Sequence, residues 1–255
     1  MRRRPRAVGR AVVATIAATL ALIAGTPARA AHPLISEDPG TQGPGGVELE
    51  TGFAASRGEP GGGRGAQLAP QLAWGMTETI DVLLVPRYLW LHPQDEARRH
   101  GVGDTALDVK WRFVETEVVE VAVRAGLELP TGSESKGLGE GGVGWHAVLA
   151  MSVAWGPTQV LANLGYVRSR TAGDRSHQPF VSMAWMLPAE GTLRTFVEVA
   201  AQANGDPERS TWPAVARTGL LWRVNDRLDL DVGIEGRLNH AAPRAAFLAG
   251  ATFHW

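Results

Sequence analysis

The sequence predicts an all-β fold, a 12-stranded antiparallel β-barrel that spans a membrane. Three observations lead to this prediction: apolar and polar residues alternate along most of the chain, charged residues avoid one of the two alternating phases, and connections alternate between long and short. Alternation with a period of two indicates a strand with two different faces. In a transmembrane barrel, one face meets lipid and the other faces the lumen.

The nine tryptophans of the chain all fall in the apolar phase, mostly near one end of an alternating run. Transmembrane barrels carry aromatic girdles at strand ends, at the two membrane–water interfaces. With both termini in the periplasm, three tryptophans mark the outer girdle and six mark the inner one. The outer set is Trp90, Trp145 and Trp212, and the inner set is Trp74, Trp111, Trp155, Trp185, Trp222 and Trp255.

Twelve alternating runs define the predicted strands. Their apolar phases cover residues 47–55, 68–74, 80–90, 107–113, 119–129, 145–155, 160–166, 181–185, 193–199, 212–222, 228–238 and 247–255. Phe180 and Phe196 depart from the phase of the eighth and ninth runs. Long connections at 57–65, 92–103, 130–142, 169–178 and 203–210 alternate with short ones at 75–78, 115–118, 156–158, 188–192 and 225–227, and the last, at 239–244, is intermediate. Outer-membrane barrels have long extracellular loops and short periplasmic turns.

Charge gives an independent test of the two faces. No Asp, Glu, Lys, Arg or His lies in the apolar phase of any predicted strand, and a charge on the lipid face costs about 2–4 kcal/mol near the bilayer midplane. The opposite phase therefore predicts the lumen lining. That lining is Asp81, Arg87, Asp108, Lys110, Arg112, Glu120, Arg124, Glu128, His146, Ser152, Asn163, Arg194, Glu198, Arg217, Arg223, Asp229, Asp231, Glu235 and Arg237.

The N-terminal region predicts export. Residues 1–30 combine a basic start, an apolar stretch at 11–24 and a small-x-small site at 28–30, which is typical of a cleaved signal peptide. Residues 31–46 are rich in Pro and Gly and are expected to form an extended periplasmic segment, and 47–255 the barrel. Loss of the six leader arginines changes the net charge from −1 to about −7, which argues against nucleic-acid binding. The chain has no cysteine and no later apolar run of membrane-helix length.

Four segments carry a family resemblance. They are HPLISEDPGTQG at 32–43, GVGDTALDVKWRF at 101–113, LELPTGSESKGLGEG at 127–141 and NLGY at 163–166. These segments resemble the transporter-like MetA-pathway of phenol degradation family of Gram-negative outer-membrane proteins. Ser36, Glu37, Asp38 and Pro39 depart from the Thr-Asp-Asp-Thr associated with that family. The resemblance implies an outer-membrane barrel that admits small, aromatic compounds, and no site residue is carried over from it.

Catalytic, cofactor and metal sites are not expected. The glycines at 137–141 lack the Lys-Ser/Thr pair and the helix of a phosphate loop. A metal in the 92–103 loop would draw on irregularly spaced groups, namely His92, Asp95, Glu96, His100 and Asp104. A protease-like rim pairing His100 with Asp104 is a remote alternative. His146 and Ser152 share a strand but face the lumen, out of reach of a lipid substrate.

The predicted lumen carries the functional interpretation. The inward residues of the sixth to eighth strands are small or neutral, namely Val148, Ala150, Ser152, Ala154, Asn163, Gly165, Ser182 and Ala184. A narrow solute path along this wall, with weak ion selectivity, follows from small side chains and mixed charge. The main hypothesis is a passive outer-membrane pore for small solutes, with a closed structural or adhesive barrel and an outer-membrane enzyme as alternatives. Expected partners are outer-membrane lipid, lipopolysaccharide and, through the aromatic C-terminal strand, the outer-membrane assembly machinery.

Overall fold

A computed structural model describes residues 32–58, 62–94, 97–170 and 176–255 of the 255-residue chain. The predicted signal peptide lies outside the described residues. The strands are β1 (Val47–Arg57), β2 (Gly63–Gly75), β3 (Ile80–Val85), β4 (Tyr88–Pro93), β5 (Arg99–Val102), β6 (Thr105–Glu115), β7 (Val119–Leu129), β8 (Gly144–Trp155), β9 (Thr158–Arg168), β10 (His177–Leu187), β11 (Leu193–Gln202), β12 (Ala214–Asn225), β13 (Leu228–Arg237) and β14 (Ala245–His254).

These segments make a closed antiparallel barrel of twelve spans. Apart from β3 to β6, each strand pairs with its sequence neighbours, and β1 pairs with both β2 and β14, so the sheet closes on itself. The third span consists of β3 and β4, which both pair with β2 on either side of a break at Pro86. The fourth span consists of β5 and β6, which pair with β4 and β3 respectively. The predicted fold class and strand number are confirmed.

The connections alternate as predicted, although two of the loops are shorter than expected. At one end of the barrel, hereafter the short-turn end, the connections between strands are two to five residues long. At the other end, hereafter the long-loop end, they are five to fourteen residues long. Much of the predicted loops at 57–65 and 92–103 is strand instead, because β1, β2, β4 and β5 continue their pairing toward this end. One 3₁₀ turn, Glu134–Lys136, lies in the longest loop.

The two faces of the wall differ sharply in exposure. In β6, inward Asp108 is 1% exposed, whereas outward Trp111 is 50% exposed. The same alternation places Trp155 and Trp185 outside at the short-turn end, with their rings stacked 6.2 Å apart. Eight tryptophans are exposed, and Trp90 is half-buried beside Tyr88. Trp212 lies just before β12 and not within a strand. None of the described residues forms a helix long and apolar enough to cross a membrane.

The position of the N-terminal segment corrects one expectation. Residues 31–46 were expected to lie in the periplasm before the barrel, but the described part from His32 to Gln42 lies inside the barrel, where Ser36, Asp38 and Thr41 are buried. This part, hereafter the inner segment, turns back at residues 43–46 to join β1. Gly75 of β2 allows the turn, since a Cβ there would lie 1.7 Å from the carbonyl oxygen of Gly43.

Candidate functional site: the barrel lumen

The inner segment crosses the lumen at the level of the strand centres. Its first described residue, His32, lies 2.8 Å from the Asp231 carboxylate of β13 through Nδ1. The ring rests on Gly52 and Gly250, which are direct cross-strand partners in β1 and β14. A Cβ at Gly52 would come within 2.4 Å of the ring, so this part of the wall must lack side chains for the segment to pass.

A buried carboxylate in β11 holds the next part of the inner segment. Glu198 is 1% exposed and accepts hydrogen bonds from the backbone N–H groups of Ile35, at 2.8 Å, and Ser36, at 2.6 Å. The guanidinium of Arg217 in β12 donates to the carbonyl oxygen of Pro33 at 2.9 Å. Side chains of the wall thus satisfy backbone groups that have no sheet partner, as buried polar groups require.

The inner segment packs against the wall of small inward residues that was predicted for the sixth to eighth strands. The Ser36 hydroxyl donates to the Ser182 Oγ at 2.9 Å, and Asn163 makes two bonds to the backbone of Glu37, at 2.6 and 2.9 Å. The expectation of an open path along this wall is therefore wrong for this structure, because the chain itself fills the space that the small side chains leave. Phe180 fills more of it, lying over Gly165.

The side chain of Glu37 forms an ion cluster with two cations of the opposite wall. Its carboxylate lies 2.7 Å from Lys110 Nζ of β6 and 2.6 Å from Arg124 Nη1 of β7. Burial raises the pKa of Glu37, but Lys110 and Arg124 outweigh burial and lower the pKa to about 2. Glu37 therefore stays ionised at neutral pH, and the cluster ties the inner segment to the barrel by charge-assisted bonds.

Arg124 extends this cluster into the wall. It donates from Nε to Asp108 at 2.7 Å, and Asp108 lies 3.2 Å from His146 Nε2. His146 Nδ1 is 3.5 Å from Glu128, which pairs with Arg87 at 2.7 Å. A continuous chain of ionisable groups thus runs from the inner segment toward the long-loop end.

The remaining predicted lumen residues pair in smaller groups. Arg112 lies near Glu120, which also accepts from Ser152, and Asp81 accepts from the backbone N–H of Gln42 in the inner segment. Arg217 pairs with Glu235 at 2.6 Å. At the short-turn end, Arg194 and Arg223 each lie 3.6 Å from Asp229. The side chain of Arg223 is 44% exposed, and Arg237 is exposed near the other end.

An inward apolar cluster was not anticipated from the sequence, although one of its members, Ala184, was expected to face inward. Leu161, Ala184, Met186, Phe196 and Leu221 form a buried cluster on β9–β12, and Leu34 of the inner segment packs against it. Phe196 was noted as off-phase, and that departure was the signal that an aromatic side chain points into the lumen. This cluster fills part of the lumen beside the inner segment.

Two cavities lie inside the barrel, and the smaller one borders the inner segment. One, of about 220 Å³, separates it from polar groups of the wall such as Glu48, Glu50 and Gln71. The other, of about 560 Å³, lies toward the long-loop end and is hereafter the vestibule. Its lining includes Ala54, Ser56, Gln67, Leu89 and Leu91.

The candidate catalytic and metal groups do not converge. His100 bonds to the Tyr88 hydroxyl at 2.9 Å, whereas Asp104 accepts backbone N–H bonds from Gly132 and Glu140 and holds the 130–143 loop. Asp95 and Glu96 fall outside the described residues. Within the ranges that the structure describes, no group of three or more His, Asp or Glu side chains could hold a metal ion.

Comparison with known sequences identifies the family. Residues 33–255 match the family described as "Putative MetA-pathway of phenol degradation". The chain belongs to this family. The match starts within the inner segment and covers the whole barrel, so both are parts of the phenol-degradation MetA family sequence, as the resemblance of residues 32–43 predicted. No curated protein matches the sequence.

Solved structures similar to this member of the phenol-degradation MetA family are outer-membrane barrels. An outer membrane channel from Pseudomonas putida F1 has a TM-score of 0.67 and 9% identity, over 87% of this chain and 100% of that one. The NanC porin has a TM-score of 0.56 and 6% identity, over 81% of this chain and 98% of that one. At such low identity these likenesses establish the fold.

Proposed function

We propose that this protein is an outer-membrane channel for small solutes, and that the inner segment closes its lumen. The observation that carries the proposal is the mode of attachment: wall side chains hold the inner segment through hydrogen bonds and ion pairs such as those of Glu37 and Glu198. Polar contacts of this kind can be exchanged for water when the segment leaves. Without the inner segment, the strand centres would enclose a water-filled space between charged walls.

The class of solute follows from the vestibule and the lumen lining. Leu89, Leu91 and Ala54 offer apolar contacts, Gln67 and Ser56 offer single hydrogen-bonding groups, and Arg99 adds one cationic group. Such a mixture suits small aromatic or weakly polar compounds, in agreement with the pathway that the family description names. The mixed charges of the lumen predict weak ion selectivity once the channel is open. The long-loop end would be extracellular and the short-turn end periplasmic.

Conductance across a planar lipid bilayer tests the proposal. The wild-type protein should conduct rarely, whereas deletion of residues 32–42 should give a persistently open channel. Glu37→Gln should open more often than wild type, because it removes the carboxylate that forms ion pairs with Lys110 and Arg124. Lys136→Gln, which alters an exposed charge in the 130–143 loop, is the matched control and should behave as wild type.

The outcomes separate the hypotheses. Absence of conductance in the deletion variant, when that variant is folded, would support the closed structural barrel instead. Equal conductance in wild type and deletion variant would show that the inner segment does not close the channel. Entry of a small aromatic solute into vesicles containing the deletion variant, compared with a sugar of similar size, tests the solute class.

A further inference from the structure

Three arginines and a histidine form one row across four strands at the long-loop end. Arg57 of β1 is the direct cross-strand partner of Arg64 of β2, and Arg64 is the direct partner of His92 of β4. Arg98 immediately precedes β5, and all four residues line one cavity of about 460 Å³. Directly opposed residues in an antiparallel pair project to the same face, with Cβ atoms about 4.5–5.5 Å apart. This row is hereafter called the rim cluster.

The rim cluster lies on the outer face of the barrel. His92 shares its face with Trp90, two residues earlier, whose ring centroid lies 4.7 Å from that of Tyr88. Tyr88 is opposite Leu68, and Leu68 is opposite Phe53, two apolar residues of the outer face. The rim cluster therefore stands just beyond the outer aromatic girdle, at the depth of lipid headgroups.

The arrangement of charge in the rim cluster differs from that in the lumen. Arg87, Arg124 and Arg217 of the lumen each pair with a carboxylate. Within the part of the chain that the structure describes, no carboxylate lies within ion-pair distance of Arg57, Arg64, His92 or Arg98. Glu59, Asp95 and Glu96 of the adjoining loops fall outside the described residues. Like charges placed directly opposite each other destabilise a sheet, so the Arg57–Arg64 pair favours binding of an external anion.

We propose that the rim cluster binds the phosphate groups of lipopolysaccharide in the outer leaflet. Guanidinium groups bind phosphate through paired N–H donors, and two neighbouring arginines can share one phosphate. A lipid A headgroup seated on the rim cluster would direct its acyl chains along the apolar outer face beside Trp90 and Leu68. The inference rests on outer-membrane residence, which is part of the proposed function, but not on conduction.

Binding of lipid A to the folded protein in detergent, measured by native mass spectrometry, tests the inference. The variant Arg57→Gln with Arg64→Gln should bind bisphosphorylated lipid A at least roughly tenfold more weakly than wild type. The control Lys136→Gln with Arg227→Gln removes two exposed charges elsewhere and should bind as wild type. Removal of both phosphates from the lipid should abolish the difference between wild type and the Arg57/Arg64 variant.

The results distinguish three explanations of binding: a lipid site, a site for small anions, and nonspecific attraction by net charge. Equal weakening in both double variants would overturn the inference, because net charge alone would then explain binding. Displacement of lipid A by millimolar inorganic phosphate would also overturn it and point to a site for small anions. Faster migration of unboiled samples on a denaturing gel verifies folding, and Arg64→Gln alone replaces the double variant if that one misfolds. A protein that binds lipid A but never conducts would leave this inference intact and refute the channel.

Discussion

At the scale of single residues, the lumen tolerates buried charge because the charges are paired. Asp108 is 1% exposed, yet it contacts both Arg124 and His146. Breaking a buried pair leaves one charge desolvated and uncompensated, which is far more costly than losing an exposed pair. Arg124 itself pairs with two carboxylates, those of Asp108 in the adjacent strand and Glu37 in the inner segment.

Replacement of Arg124 should therefore be strongly destabilising. Arg124→Val leaves Asp108 with His146 alone and Glu37 with Lys110 alone, and we expect a loss of about 3–5 kcal/mol of folding free energy. The matched control is Arg223→Val, because Arg223 is 44% exposed and lies 3.6 Å from Asp229. The control should lose less than about 1 kcal/mol. Denaturant unfolding in lipid vesicles measures both, and equal losses would contradict the importance of burial.

At the scale of the strand, the alternation of faces decides which substitutions are compatible with a membrane. In β9, Leu164 is 59% exposed on the outer face, while its neighbour Asn163 is 6% exposed inside. Both lie near the middle of the strand, where surrounding lipid would be hydrocarbon. The cross-strand partners of the outward Leu164 are Leu149 and Val181, which cannot compensate a charge, whereas the inward side chain is bonded to the inner segment.

Leu164→Arg should cost about 2–4 kcal/mol of folding free energy in lipid, since it places a charge against hydrocarbon near the midplane. Val118→Arg provides the control, because Val118 is 55% exposed in the three-residue turn between β6 and β7. Near the interface the same substitution should cost about 0–1 kcal/mol. If the two variants are equally stable in vesicles, the exposed face of β9 does not meet lipid.

At the scale of the whole molecule, the barrel closes through its terminal strands. The last strand pairs with the first, and the backbone N–H of Trp255 donates to the carbonyl oxygen of Val47 at 2.9 Å. Around the closed barrel, the exterior carries apolar side chains such as Ile234 and Leu164, about 60% exposed. A surface of this kind is soluble only in lipid or detergent.

The folded protein should accordingly be recovered from the outer-membrane fraction and should require detergent. On a denaturing gel, the unboiled sample should migrate faster than the boiled one, because a closed barrel of paired strands resists the detergent until it is heated. Recovery in the soluble periplasmic fraction would contradict a transmembrane barrel. A membrane-associated protein with no difference between boiled and unboiled migration would show that the barrel does not persist in the detergent.

The sequence alone predicted twelve membrane spans, the two faces of the wall and the inward side of strand charges such as Asp108 and Glu198. These properties depend on a local period of two, which lipid on one side and water on the other impose on every strand. The ion-pair partners of the lumen charges could not be predicted. The alternation of charge shows which face of the wall a side chain occupies, but it does not show which residue of another strand or of the inner segment it contacts.

Only the tertiary structure decided where the inner segment lies. Residues 32–42 have no period, and their contacts with the wall reach residues 37 to 199 positions away in the chain, from Glu78 to Asp231. The space for the segment exists only after twelve strands have closed, when Gly52, Gly250 and the small wall residues meet. Long-range contacts of this kind follow from the shape of the closed lumen, which no local pattern encodes.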